Sequence, residues 1–226
     1  MQVLNRDSLP LGGFAGLTEL RLVTDIRVFG HRKSAETFNG LKNFVYLADA
    51  NFNPHGETTM HPHKEIDVIS IMMDGRVSHE GSLEHGQSLS AGEAQVQRAG
   101  GEGFSHNEVN PDETKNRMLQ IWVLPDEAGQ PAGYKHYVLA KNGVTRIYGG
   151  DKCQSQTFDS KTVIEVVQLD NGETFSVSQP SLVYVAKGLV AAKQNGATTK
   201  LEEGALVRSE TLDLNVVETA QLVVIS

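Results

Sequence analysis

Short apolar runs rich in β-branched residues recur along the chain, each close to turn residues. Phe44-Val-Tyr-Leu47, Asp67-Val-Ile-Ser-Ile-Met-Met73 and Met118-Leu-Gln-Ile-Trp-Val-Leu124 fall in the first part. Val163-Ile-Glu-Val-Val-Gln-Leu169, Ser181-Leu-Val-Tyr-Val-Ala186 and Leu222-Val-Val-Ile225 fall in the second. Runs of this length, parted by Asp-Gly, Asn-Gly and Gly-Gly steps, predict strands of an all-β barrel or sandwich. Sustained helical periodicity is missing, and the best stretch for one short helix is Gly129–Leu139. No apolar run approaches the roughly 20 residues that a membrane-crossing helix needs. The first ten residues carry no continuous apolar stretch of the signal-peptide kind, so a cytoplasmic protein is expected.

A faint internal repeat divides the chain. Gly56-Glu-Thr58 recurs as Gly172-Glu-Thr174, Gly75 has a counterpart in Gly188, and Gly92 in Gly204, at offsets of 116, 113 and 112 residues. Near-constant offsets predict two similar barrels. The first covers residues 1–130 and the second 131–226, with the Gly-, Pro-, Ala- and Lys-rich stretch 126–150 around the connection.

Charge and motifs narrow the chemistry. With 20 Lys and Arg against 28 Asp and Glu, the formal net charge is −8, and no basic stripe compensates. Direct binding to nucleic acid or to an anionic membrane is therefore not expected. A lone cysteine, Cys153, excludes an intramolecular disulfide and a cysteine-cluster zinc site, and it reads as a small buried residue. Dinucleotide-binding, phosphate-loop and nucleophile-elbow motifs are absent. Gly100-Gly-Glu-Gly103 resembles a phosphate loop only superficially, because it leads into the strand of His106.

Seven of the eight histidines precede residue 107. His61-Pro-His63 places two imidazoles on one face of a strand, about 7 Å apart along the chain. His106-Asn-Glu108 repeats that spacing with an imidazole and a carboxylate. If the two strands face each other inside a barrel, three His and one Glu converge on one point. A nitrogen and oxygen set of this kind suits Fe(II), Mn(II), Ni(II), Cu(II) or Zn(II). The remaining histidines read more plainly: His55, His79 and His85 as solvated, and His31 as surface beside Arg32 and Lys33. Trp122 and Met118 read as core.

These residues carry a resemblance. Gly56, His61-x-His63, Asp67 and Gly75 look like the first cupin motif. Gly92, Gly101-x-Gly103, His106 and Asn110 look like the second, with Gly101 in place of its usual proline. Pro54-His55 followed after five residues by His61-Pro-His63, together with Asp74-Gly75, Ser90-Ala-Gly-Glu93, Gly103-Phe-Ser-His-Asn-Glu108 and Leu119-Gln-Ile-Trp122, resembles the pirin family. The resemblance implies an all-β bicupin whose N-terminal barrel binds one divalent transition metal, iron(II) first, through His61, His63, His106 and Glu108. It also implies a metal-free second barrel, since Val177 and Gln179 stand where the imidazoles would be. The implied activity is a dioxygenase taking dioxygen and a small molecule, a flavonol of the quercetin type or a related enediol, with Glu108 as general base. An alternative is a non-enzymatic, redox-sensing regulator that binds a protein partner, and a third is a cupin isomerase that needs no oxygen. The family pattern Arg-Gly-Phe-Glu is replaced here by Lys64-Glu-Ile-Asp67. On an unbroken strand Glu65 and Asp67 would share the histidine face; a kink would turn Glu65 outward and leave Asp67 bonded behind the ligands.

Overall fold

A computed structural model describes residues 1–83, 87–194 and 196–226, and its apolar runs are strands. The chain begins with β1 (Gln2–Asn5), β2 (Gly12–Phe14), β3 (Leu17–Thr24) and one helical turn, α1 (Ile26–Phe29). Then come β4 (Phe44–Phe52), β5 (His61–His63), β6 (Asp67–Asp74), β7 (Arg76–Gly81) and β8 (Ser88–Ser90). β9 (Glu93–Arg98), β10 (Phe104–Val109), β11 (Arg117–Val123) and β12 (Gly133–Val138) complete an N-terminal unit, Leu9–Val138. β13 (Gly143–Gly150), β14 (Ser160–Leu169), β15 (Thr174–Val177) and β16 (Ser181–Gln194) follow. β17 (Ala197–Glu202), β18 (Ala205–Ser209) and β19 (Leu212–Ile225) end the chain. The C-terminal unit is Leu139–Ser226 together with Met1–Ser8, because β1 pairs with β18.

In the N-terminal unit one sheet runs β12-β9-β6-β11-β4-β3-β2 and a second runs β5-β10-β7-β8. The C-terminal unit runs β1-β18-β16-β19-β14-β13, with β15 on β19 and β17 on β16. The order is the same in both once β16 is read as β6 plus β7 and β19 as β10 plus β11. Gly75 (φ +70) turns the chain from β6 into β7; Gly188 (φ +85) lies where β16 shifts register against β19. A side chain at Gly188 would strike the Thr219 carbonyl, so the position needs glycine for space as well as for φ. The N-terminal core draws on both sheets, with Leu17, Phe52 and Met118 packed against Val77 and Leu89.

Three expectations are corrected. The stretch Gly129–Leu139 holds β12, paired with β9 from Gly133↔Arg98 to Val138↔Glu93, and α1 lies elsewhere. A long-range edge pairing with β9 decides the state of this stretch. Cys153 is exposed, in the turn after β13. Trp122 is only half-buried, whereas Met118 is core.

Candidate metal centre

Antiparallel pairing of β5 with β10 sets His61 directly opposite His106 and His63 opposite Phe104. Side chains two apart on a strand share a face, so both β5 imidazoles reach the ring of His106. Its Nε2 lies 3.1 Å from Nε2 of His61 and 3.1 Å from Nε2 of His63. His61 Nδ1 lies 2.8 Å from the Thr59 carbonyl. Nδ1–H therefore donates there, and Nε2 presents its lone pair to the other rings.

Burial, and after it the neighbouring imidazoles, push His63 down to about 4 and His106 to about 2. At neutral pH His63 and His106 are uncharged; the three rings converge, and His106 Nδ1 is buried without a hydrogen-bond partner among the described residues. A cation is what such a cluster suits. Metal–imidazole bonds of about 2.1 Å at right angles set two donors about 3.0 Å apart, close to the spacing found here. Among the described residues, the His, Cys, Asp and Glu donors grouped within 4.8 Å of one another in this way are His61, His63 and His106.

Glu108 follows His106 by two residues and is buried in the wall of the same cavity. Its carboxylate accepts from Ser70 Oγ on β6 at 2.9 Å and from Gln95 Nε2 on β9 at 3.4 Å. Burial pushes its pKa up to about 7, although the Ser70 hydroxyl pulls the other way. The free space beside these groups is about 40 Å³, walled by Phe14, Leu17, Tyr46 and Trp122. Tyr46 and Trp122 pack with ring centroids 4.3 Å apart.

Several residues depart from expectation. His79 is buried rather than solvated, 5.3 Å from the His106 ring between centroids, and its Nε2 lies 2.9 Å from Gln97 Nε2. Its burial follows from the pairing of β7 with β10, which sets it opposite Glu108. His55 and His31 are exposed. His85 lies outside the described residues. Glu65 adopts φ +52, which ends β5, and its carboxylate accepts from the Gly129 amide at 2.9 Å. Asp67 starts β6 in the other sheet, where it faces Arg98 at 3.6 Å and accepts from the Ala99 amide at 3.2 Å. The strand is thus broken, and neither carboxylate extends the β5 face. Glu19 and Tyr46, which also line the cavity, were not anticipated, although Leu17, Glu19 and Arg21 share one face of β3 by alternation.

Comparison with known proteins agrees with this architecture. A family model described as Pirin matches residues 23–123. A Pseudomonas aeruginosa protein provisionally named quercetin 2,3-dioxygenase is 28% identical over 174 residues, 73% of this chain and 75% of that one. A Caulobacter vibrioides pirin-like protein is 24% identical over 187 residues, 78% of this chain and 80% of that one. The crystal structure of the bacterial pirin YhhW of Escherichia coli with nickel(II) aligns with a TM-score of 0.82 at 18% identity, over 99% of this chain and 97% of that one. The fold is accordingly all-β and bicupin, and no helix among the described residues is long and apolar enough to cross a membrane. The match falls on the unit that carries the imidazoles, and it is there that the chain is similar to the pirin family.

Proposed function

We propose that this chain is a metal-dependent dioxygenase acting on a small molecule with adjacent enolic oxygens, a flavonol or a related enediol. His61, His63, His106 and Glu108 would hold one divalent transition metal, iron(II) ahead of manganese, nickel, copper or zinc. The observation that carries the reading is the convergence of three imidazole Nε2 atoms beside a buried carboxylate in a mostly apolar cavity. Relatives named for quercetin dioxygenation support the reaction class. When bound, the metal supplies Lewis acidity toward the enolic oxygens and a one-electron path to dioxygen.

The chain's own residues do the rest. Glu108, held by Ser70 and Gln95, is the carboxylate beside the imidazoles that would accept the enolic proton, since Glu19 is engaged by Tyr46 and Arg21. Phe14, Leu17 and Trp122 keep water from the reacting edge. Space of about 40 Å³ admits that edge and not three fused or linked rings, so the body of a flavonol would lie at the mouth, against the half-exposed Phe14. The test is oxygen uptake with quercetin and with small enediols. Glu108→Gln should lower turnover by about 10²–10⁴ while most of the metal is kept; undiminished turnover would remove Glu108 from the mechanism.

A further inference from the structure

The N-terminal unit holds a second, larger cavity of about 340 Å³. It shares the β2–β3 hairpin with the metal cavity but no lining residue. Its size falls within the range of small-molecule sites, about 300–1,000 Å³. Two arginines, Arg21 and Arg32, line it together with Ser34, and no acidic residue does.

These groups are set for an anion. Arg32 has no side-chain hydrogen bond or ion pair among the described residues. Lys33, next in sequence, gives its ammonium to the carbonyls of Ser34 at 2.8 Å and Thr37 at 3.2 Å, which places a second uncompensated charge behind the wall. Arg21 is fixed by Glu19, whose Oε1 accepts from its Nε at 2.7 Å and lies 2.5 Å from Nη2. A guanidinium has five N–H groups, so Arg21 stays oriented at the cavity wall with donors to spare. Ser34 Oγ accepts from the Glu36 amide at 3.2 Å, which leaves its own proton for a ligand. A positively lined cavity is conspicuous in a chain of net charge −8.

We propose that this cavity binds a small oxyanion, carboxylate or phosphate, through Arg32 and Arg21 with the hydroxyl of Ser34. Arg32 is the discriminating position. It is exposed and its removal should leave the fold intact, whereas loss of Arg21 would also free Glu19 in the metal cavity. The experiment is calorimetric titration of the intact protein with inorganic phosphate and, separately, with succinate, at constant ionic strength set with chloride. Saturable binding of either probe, one site per chain, is expected, and the tighter probe identifies the headgroup. Arg32→Gln should weaken that binding by about tenfold or more, in line with loss of a charge-assisted hydrogen bond. The His61→Ala/His63→Ala double variant should bind as the parent does. Absence of saturation with both probes, equal affinity in Arg32→Gln, or loss of binding in the double-histidine variant would each overturn the proposal.

Discussion

The two units wind the same ladder and fill it differently. At one position His61 faces His106 in the N-terminal unit, while Val177 faces Leu212 in the C-terminal unit. At the next, Glu108 faces His79, while Leu214 faces Ala192. Val177, Ala192, Leu212 and Leu214 all belong to the C-terminal core cluster. Side chains aimed inward at the same rungs therefore become either core or site. Burying a leucine there contributes about 1.5–3 kcal/mol. Burying a carboxylate and imidazole nitrogens costs free energy unless a partner satisfies them. The N-terminal unit thus carries unsatisfied buried polarity, and a bound cation would offset it by stabilising only the folded state.

The comparison breaks most visibly on metal content. We expect about one transition-metal ion per chain by elemental analysis, because the second unit offers Val177, Gln179, Leu212 and Leu214 at the corresponding positions, none of them an imidazole or a carboxylate. His61→Ala/His63→Ala should reduce that to nearly none while far-UV circular dichroism stays that of a folded β-protein. A ratio near two would mean that the second unit binds as well. In the C-terminal unit the large effect should be on stability instead. Leu214→Ala opens a cavity in the core and should cost about 2–5 kcal/mol in denaturant unfolding, with metal content unchanged.

How far this could be read ahead depends on the range of the interaction. Alternation along β5 and β10 needs only adjacent residues, so the shared face of His61 and His63, and that of His106 and Glu108, were legible before any pairing was known. His79 was not, because its burial follows from β7 pairing with β10, and polar neighbours such as Ser78 and Glu80 disguise the inward positions. For Glu65 the sequence is compatible with both an unbroken strand and a kink, since a single residue at φ +52 interrupts the strand without any change in hydrophobic period. Strand β12 was hidden for a similar reason: an edge pairing with β9 decides its state, and its own residues do not. The pairing of Glu19 with Tyr46 and Arg21 joins two strands and was equally out of reach.

A sharper version converts one unit into the other. His61→Val, His106→Leu and Glu108→Leu together give three of the four N-terminal rung positions the C-terminal side chains, with His79 left in place. The metal-free triple variant should be more stable than the metal-free parent by about 1–3 kcal/mol, since buried polar groups are replaced by apolar ones. At this chain length that is a rise of about 2–4 °C in melting temperature per kcal/mol. No rise, or a fall, would show that the polar groups are better satisfied than the orphaned His106 Nδ1 indicates.

The smallest effect expected is a difference in acid sensitivity, and its sign follows from the buried groups. The C-terminal unit contains no histidine, so imidazole titration belongs to the N-terminal unit. In the metal-free protein His63 and His106 have folded-state values of about 4 and about 2, below the ordinary 6.5. The unfolded chain then binds more protons once the pH falls below about 6.5, and stability is lost as acidification proceeds toward those values. Glu108 acts oppositely: raised from 4.5 to about 7, it binds its proton earlier in the folded state, so its contribution is present below 4.5 and lost as pH rises through 7. Between pH 6.5 and 4.5 two groups lower stability on acidification and one raises it. Glu108→Gln removes the compensating member, so its stability should fall more steeply across that window than the parent's. The single tryptophan, Trp122, lies 6.1 Å from the His63 ring between centroids, so its emission reports melting of this unit in particular. Equal slopes for parent and Glu108→Gln would mean that Glu108 does not hold its proton near neutrality in the folded protein.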